Sequence, residues 1–186
     1  MVPIRFTIGF LLIVSVAFGQ SDSKIKNQQV SNPKTENLLP KYVLFGTFCS
    51  ECSGICSTMY RYNIADDSCT LFVDRTNSFF KNHRNIACNT PITDASKFDL
   101  VDNLVLQIPP RFLTTTKTEE TFGCPDCTDG CGIYFEIGQG TTVKKFYIDN
   151  IKSHLPNELI YFLEVLETTF TGLRGMKKNK ARQFFK

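Results

Sequence analysis

Eight cysteines constrain this chain more than any other feature. Cys49, Cys52 and Cys56 follow a Cys-x2-Cys-x3-Cys spacing, and Cys124, Cys127 and Cys131 repeat it 75 residues later. Their neighbours agree as well. Cys-Ser-Glu-Cys-Ser answers Cys-Pro-Asp-Cys-Thr, a Phe-Gly pair lies shortly upstream of each, and a strand-like run follows each. Cys69 and Cys88 stand alone. The matched surroundings predict two loops that face each other or share a site.

What the sulfurs do depends on the compartment, which the N-terminus addresses. Arg5 precedes an apolar run from Phe6 to Val16 that ends in the small residues Ala17 and Gly19. A basic start, an apolar stretch and a small-residue site make up a cleavable export signal. Residues 1–19 are read as that signal, since a membrane helix needs about 20 apolar residues. No cysteine lies near the site, so the lipobox of a lipoprotein is missing, and no later run approaches spanning length. The expected location is exported, either periplasmic or extracellular, where disulfides persist.

The leading expectation is therefore structural disulfides drawn from Cys49, Cys52, Cys56, Cys69, Cys88, Cys124, Cys127 and Cys131. Bonds between the clusters, with Cys69 joined to Cys88, would stiffen the strand ends, although spacing does not fix connectivity. Zinc on Cys49, Cys52, Cys124 and Cys127 is an alternative, with the pairs much farther apart than the usual ~15–20 residues. An iron–sulfur cluster would want Cys-x2-Cys-x2-Cys, which is absent. Thiol–disulfide exchange at Cys124 and Cys127 is a further alternative. It lacks the helix N-terminus that lowers a thiol's pKa, and Asp126 and Asp129 oppose the thiolate. The same two acids could bind calcium, but EF-hand spacing is missing. No cofactor is expected.

Charge divides the chain. Residues 20–40 are a polar stretch of Ser, Lys, Asn and Gln, read as a flexible leader. Residues 174–186 hold six bases and no acid, more than the net charge of +3, so the intervening chain is mildly acidic. A pI near 8.4 is weak beside the values above about 9 that mark nucleic-acid binders, and no nucleic-acid partner is expected. The tail ends Phe184-Phe185-Lys186, which admits contact with an anionic surface. A solvated, frayed terminus is the simpler reading.

Residues 41–173 are expected to form one domain. Tyr42 to Phe48 reads as a strand. Thr58, Tyr60, Tyr62 and Ile64 alternate with their neighbours, as do Cys69, Leu71 and Val73, with Asp66-Asp67-Ser68 as the turn between. The period then lengthens. Phe98, Val101, Leu104, Val105 and Ile108 form a helical stripe, Thr93 or Asp94 is placed to cap it, and Pro109-Pro110 to end it. Ile133, Phe135 and Ile137 point one way, Gly138 to Gly140 can turn, and Val143 to Ile148 returns. Pro156 suits a second helix start, with Leu159, Phe162, Leu163, Leu166 and Phe170 as its apolar stripe. The order βββ-α-ββ-α predicts an α+β domain. Its antiparallel sheet would have about five strands and two helices on one face, reinforced by disulfides.

Other chemistry is sparse. His83 and His154 are the only histidines, read as a surface residue and part of a helix start, and none of the common catalytic fingerprints is present. His83 five residues before Cys88 admits a metal or nucleophile–base pair. Tyr60, Tyr62, Tyr134 and Phe135 could line a ligand face but on strands are more often core. The domain is expected to play a structural or binding role toward a protein or small ligand, with no catalytic activity evident.

Phe122-Gly123-Cys124-Pro125-Asp126-Cys127 followed by Gly132 to Ile137 resembles a segment of small exported bacterial proteins, often lipoproteins. Phe45-Gly46, Cys52, Cys56, Met59-Tyr60, Ile148-Asp149 and Leu155-Pro156 are similar to the same group. The likeness spans roughly residues 42 to 166. It implies an exported domain of this fold and says nothing of mechanism, and the missing lipobox cysteine sets this chain apart.

Overall fold

The computed structural model describes residues 39–64, 68–81, 86–125, 127 and 130–175. The expected signal, the leader to residue 38, Asp66, Asp67, His83, Asp126, Asp129 and the tail beyond Gly175 lie outside the described residues.

Seven strands are described: β1 (Tyr42–Cys49), β2 (Ser57–Asn63), β3 (Thr70–Asp74), β4 (Thr90–Ile92), β5 (Glu119–Phe122), β6 (Cys131–Gln139) and β7 (Thr142–Asp149). Four α-helices accompany them, α1 (Ser78–Lys81), α2 (Ala95–Leu106), α3 (Pro110–Thr114) and α4 (Asn157–Leu173), with one 3-10 turn at Lys152–His154. The strands form one sheet in the order β4-β3-β2-β1-β6-β7-β5. All pairs are antiparallel except β5 with β7, which is parallel.

This corrects the expected antiparallel sheet of about five strands with two helices. The missing elements are short. β4 has three residues, one of them Pro91, and β5 is Glu-Glu-Thr-Phe at the sheet edge, so neither shows a period of two. The helices α1 and α3, of four and five residues, barely complete a turn and leave no 3.6-residue stripe. Pro109-Pro110 does end α2, but Pro110 also opens α3, where its missing amide costs nothing.

The long elements follow the pattern. The Asp94 carboxylate accepts from the Ser96 amide at 3.1 Å and caps α2. Pro156 stands at the N-cap of α4, whose stripe Leu159, Phe162, Leu163, Leu166 and Phe170 is wholly buried. Alternation splits the sheet residues between two clusters. Val43, Phe45, Tyr60, Tyr62, Ile133, Phe135 and Phe146 join α2 and α4 on one face. Leu44, Phe48, Met59 and Tyr134 face the other way, against Phe79 of α1 and Ile86. Helices therefore cover both faces, not one as expected. Strand β6 lies near the middle and is buried from Gly132 to Gln139. No described helix is long and apolar enough to cross a membrane.

The short helix α3 matters out of proportion to its length. Phe112 stacks on Phe146 at 3.9 Å between centroids, packs against Phe122 and Phe135, and meets Phe162 edge-on. Phe112→Ala is expected to lower unfolding free energy by about 3–5 kcal/mol, the usual loss for a buried aromatic. Urea denaturation checks this, and a loss below about 1 kcal/mol would mean that the stack is not part of the stabilising core.

Candidate functional site

The register gathers both cysteine clusters at one end of the sheet. Cys49 lies opposite Cys131, Phe48 opposite Ser57, and Gly132 opposite Asp149. Cys49 and Cys131 are joined by a disulfide across 4.2 Å between Cα atoms, the one bond between the clusters. Cys52–Cys56 and Cys124–Cys127 close within their own loops, with Cα separations of 5.5 and 5.4 Å. The four sulfurs considered for zinc, on Cys49, Cys52, Cys124 and Cys127, thus belong to three separate disulfides. Among the described residues no group of three or more His, Cys, Asp or Glu is placed to hold a metal.

Cys69 and Cys88 are free thiols and not the fourth bridge that was expected. Cys69 is exposed beside Tyr62 of the helix-rich face, whereas Cys88 packs into the opposite cluster, so the sheet separates them.

A cavity of about 510 Å³ opens at the cysteine-bearing end. Its walls include the Cys49–Cys131 and Cys52–Cys56 disulfides, Thr47, Tyr60, Arg75 and Arg174, and no Asp or Glu among the described residues. The turn after β3 builds one wall. Asp74, 2% exposed, accepts from the Thr76 amide and hydroxyl at 2.8 and 2.6 Å and from Ser78. Burial disfavours its charge, but these bonds prevail and hold it below the ordinary carboxylate value. That turn sets Asn77 at φ 59°, a conformation Asn tolerates. Asn77 Oδ1 then accepts from the Cys56 and Ser57 amides at 2.7 and 2.9 Å, and its Nδ2 donates to the Gly54 carbonyl at 2.8 Å. One side chain thus fixes the Cys52–Cys56 loop against the cavity.

Two residues that line the cavity carry buried hydroxyls that lack a hydrogen-bond partner, Ser57 Oγ and Tyr60 Oη. These residues are 1% and 0% exposed. Each such group costs roughly 1–3 kcal/mol if left unsatisfied. Burial raises the Tyr60 pKa, while the facing guanidiniums of Arg174 and Arg75 oppose that rise. Arg174, at the end of α4, donates to Thr47 Oγ1 at 2.7 Å and lies over the Phe170 ring.

The Cys124–Cys127 loop lies at the end of β7. Gly123 has φ +71° and approaches Asp149 so closely that a Cβ would sit 2.5 Å from the Asp149 Cβ, so glycine is required. Asp149 is 2% exposed. Its Oδ1 accepts from the Ile151 amide at 2.8 Å, and its Oδ2 accepts from both the Cys124 amide at 2.9 Å and His154 Nδ1 at 2.7 Å. Burial works against the charge, yet the amides and His154 outweigh it and lower the Asp149 pKa. His154 was read as part of a helix start. It does precede α4, and it also forms this contact.

The aromatic set Tyr60, Tyr62, Tyr134 and Phe135 is core, each residue at most 1% exposed. Tyr134 and Tyr42 both donate to Glu136, and Tyr62 donates to Asp102. Sequence reasoning missed Ser57, Arg75, Asn77 and Asp149, and placed Arg174 with the tail. The Asp74 to Ser78 run, rich in turn-forming residues, was the available signal.

No protein-family model matches the chain, and no curated protein sequence matches it.

The two free thiols should react differently. Burial pushes the Cys88 thiol up to about 12, so at pH 8 it holds almost no thiolate, the reactive form. Iodoacetamide on the folded protein is expected to label exposed Cys69 and spare Cys88 until denaturant is added. Peptide mass mapping reads the result, and equal labelling would contradict the burial of Cys88.

Proposed function

We propose that this chain is an exported binding domain that holds a small anionic ligand, a carboxylate above all, in the cavity at the cysteine-bearing end of its sheet. The observation that carries this reading is the pair of buried, unpartnered hydroxyls, Ser57 Oγ and Tyr60 Oη, on residues that line the cavity together with Arg75 and Arg174. Buried polar groups are normally satisfied, and each exception calls for a partner. Hydroxyls and guanidiniums can all donate, and a planar guanidinium matches a carboxylate through two parallel bonds. The volume lies within the ~300–1,000 Å³ range of small-molecule sites. Export is part of this proposal, supported by the order of residues 1–19 and by cysteines paired as disulfides. The likeness of the Phe122–Ile137 segment to small exported bacterial proteins supports the same location.

Isothermal titration with acetate, succinate, citrate and benzoate tests the cavity. Arg75→Gln is expected to weaken the best binder by about 10–100-fold, the value of a charged hydrogen bond. Tyr60→Phe should weaken binding while leaving the ligand-free protein unchanged or up to about 1 kcal/mol more stable, because it removes an unsatisfied hydroxyl. Absence of binding by all four probes, or affinity unchanged in Arg75→Gln, would refute the reading.

A further inference from the structure

We propose that the Cys124–Cys127 loop is a dithiol–disulfide exchange site in which His154, oriented by Asp149, carries the proton. The proposal is independent of the cavity.

Three observations converge on it. Both cysteines are exposed, so a partner thiol has access to the bond. Asp149 Oδ2 accepts simultaneously from the Cys124 amide and from His154 Nδ1, which ties the imidazole and the first cysteine to one oxygen. His154 is about half exposed (49%), whereas Asp149 is 2% exposed. A base oriented by a third, buried group is part of the general arrangement of nucleophilic sites, and here that third group also holds the backbone of the first cysteine. Because the carboxylate only accepts, Nδ1 carries the hydrogen of this contact, and in the neutral imidazole Nε2 is then the nitrogen that can take a proton. Asp149 is a positioning residue here.

The step balances with a reduced cysteine pair in a partner protein. A partner thiol gives its proton to His154 Nε2, and its sulfur bonds to one sulfur of the pair. The Cys124–Cys127 bond breaks, and the released thiolate takes the proton from His154. The partner's second thiol then attacks the mixed disulfide. The partner leaves with a disulfide, and two electrons and two protons remain on Cys124 and Cys127 as thiols. A second disulfide, from another protein or a small molecule, restores the bond by the reverse exchange.

The molecule supplies its own control. Cys52–Cys56 is also a short-loop disulfide at the same end of the sheet, but its Cys56 amide is held by the neutral oxygen of Asn77. In the test, the full chain is first treated with N-ethylmaleimide to block Cys69, then exposed to reduced glutathione or to a reduced, unfolded protein dithiol. Newly opened thiols are labelled with a second mass tag and mapped. Cys124–Cys127 is expected to open at least about tenfold faster than Cys52–Cys56. In His154→Asn and His154→Gln its rate should fall about 100-fold, the usual value of a positioned proton carrier, while the Cys52–Cys56 rate stays constant. The faster arm tells whether the partner is a protein dithiol or a small thiol. Equal rates for the two bonds in the wild-type chain would overturn the proposal even if both variants failed to fold. Undiminished selectivity in the folded variants would also overturn it.

Discussion

The pairing of β1 with β6 joins the two halves of this chain, and most other features depend on it. The strands meet in register from Tyr42 opposite Gly138 to Cys49 opposite Cys131. Each then recruits its own neighbours, β2 to β4 on one side and β7 with β5 on the other. Closing so long a loop carries an entropic cost before any contact compensates it. The Cys49–Cys131 disulfide, with a sequence separation of 82, lies at the end of this pair and restricts the unfolded chain where that cost is largest. It also fixes the relative positions of the Cys52–Cys56 and Cys124–Cys127 loops. The cavity and the proposed exchange site are therefore consequences of one register.

The two sites draw on different physics. The cavity places Arg75 and Arg174 on the same wall as residues whose buried hydroxyls make an unmet hydrogen bond expensive. The exchange loop rests on a buried carboxylate whose two oxygens are both engaged, by the Ile151 and Cys124 amides and by His154. The proposed ligand would complete the first arrangement, and in the proposed exchange the second would position the proton carrier. Stability and function are often traded against each other in this way.

Legibility in the sequence tracked element length. Helix α4 was readable because five apolar residues repeat at helical spacing over 17 positions, and β6 and β7 because Ile133, Phe135 and Ile137 alternate before a glycine turn. Helix α3 was not, since Phe112 alone of five residues is fully buried, and its role comes from neighbours remote in sequence. The parallel β5 escaped for the same reason, being Glu-Glu-Thr-Phe with one buried residue. Of the sites, the matching cysteine clusters did foretell loops that meet, but not that one bond would join them while two close locally. Ser57, Tyr60, Arg75 and Arg174 come together only through strand register and the end of α4, which no local pattern encodes.

The ends of the sheet have a consequence of their own. β4 and β5 are its edges, three and four residues long, one interrupted by Pro91 and the other carrying Glu119 and Glu120. A proline withholds the amide that a further strand would need, and the exposed Glu119 would meet its own charge in a second copy, while Glu120 is paired with Arg111 and Lys117. A seven-stranded sheet bounded this way is a poor template for growth. Its least regular segments thereby protect the molecule against sheet-to-sheet aggregation.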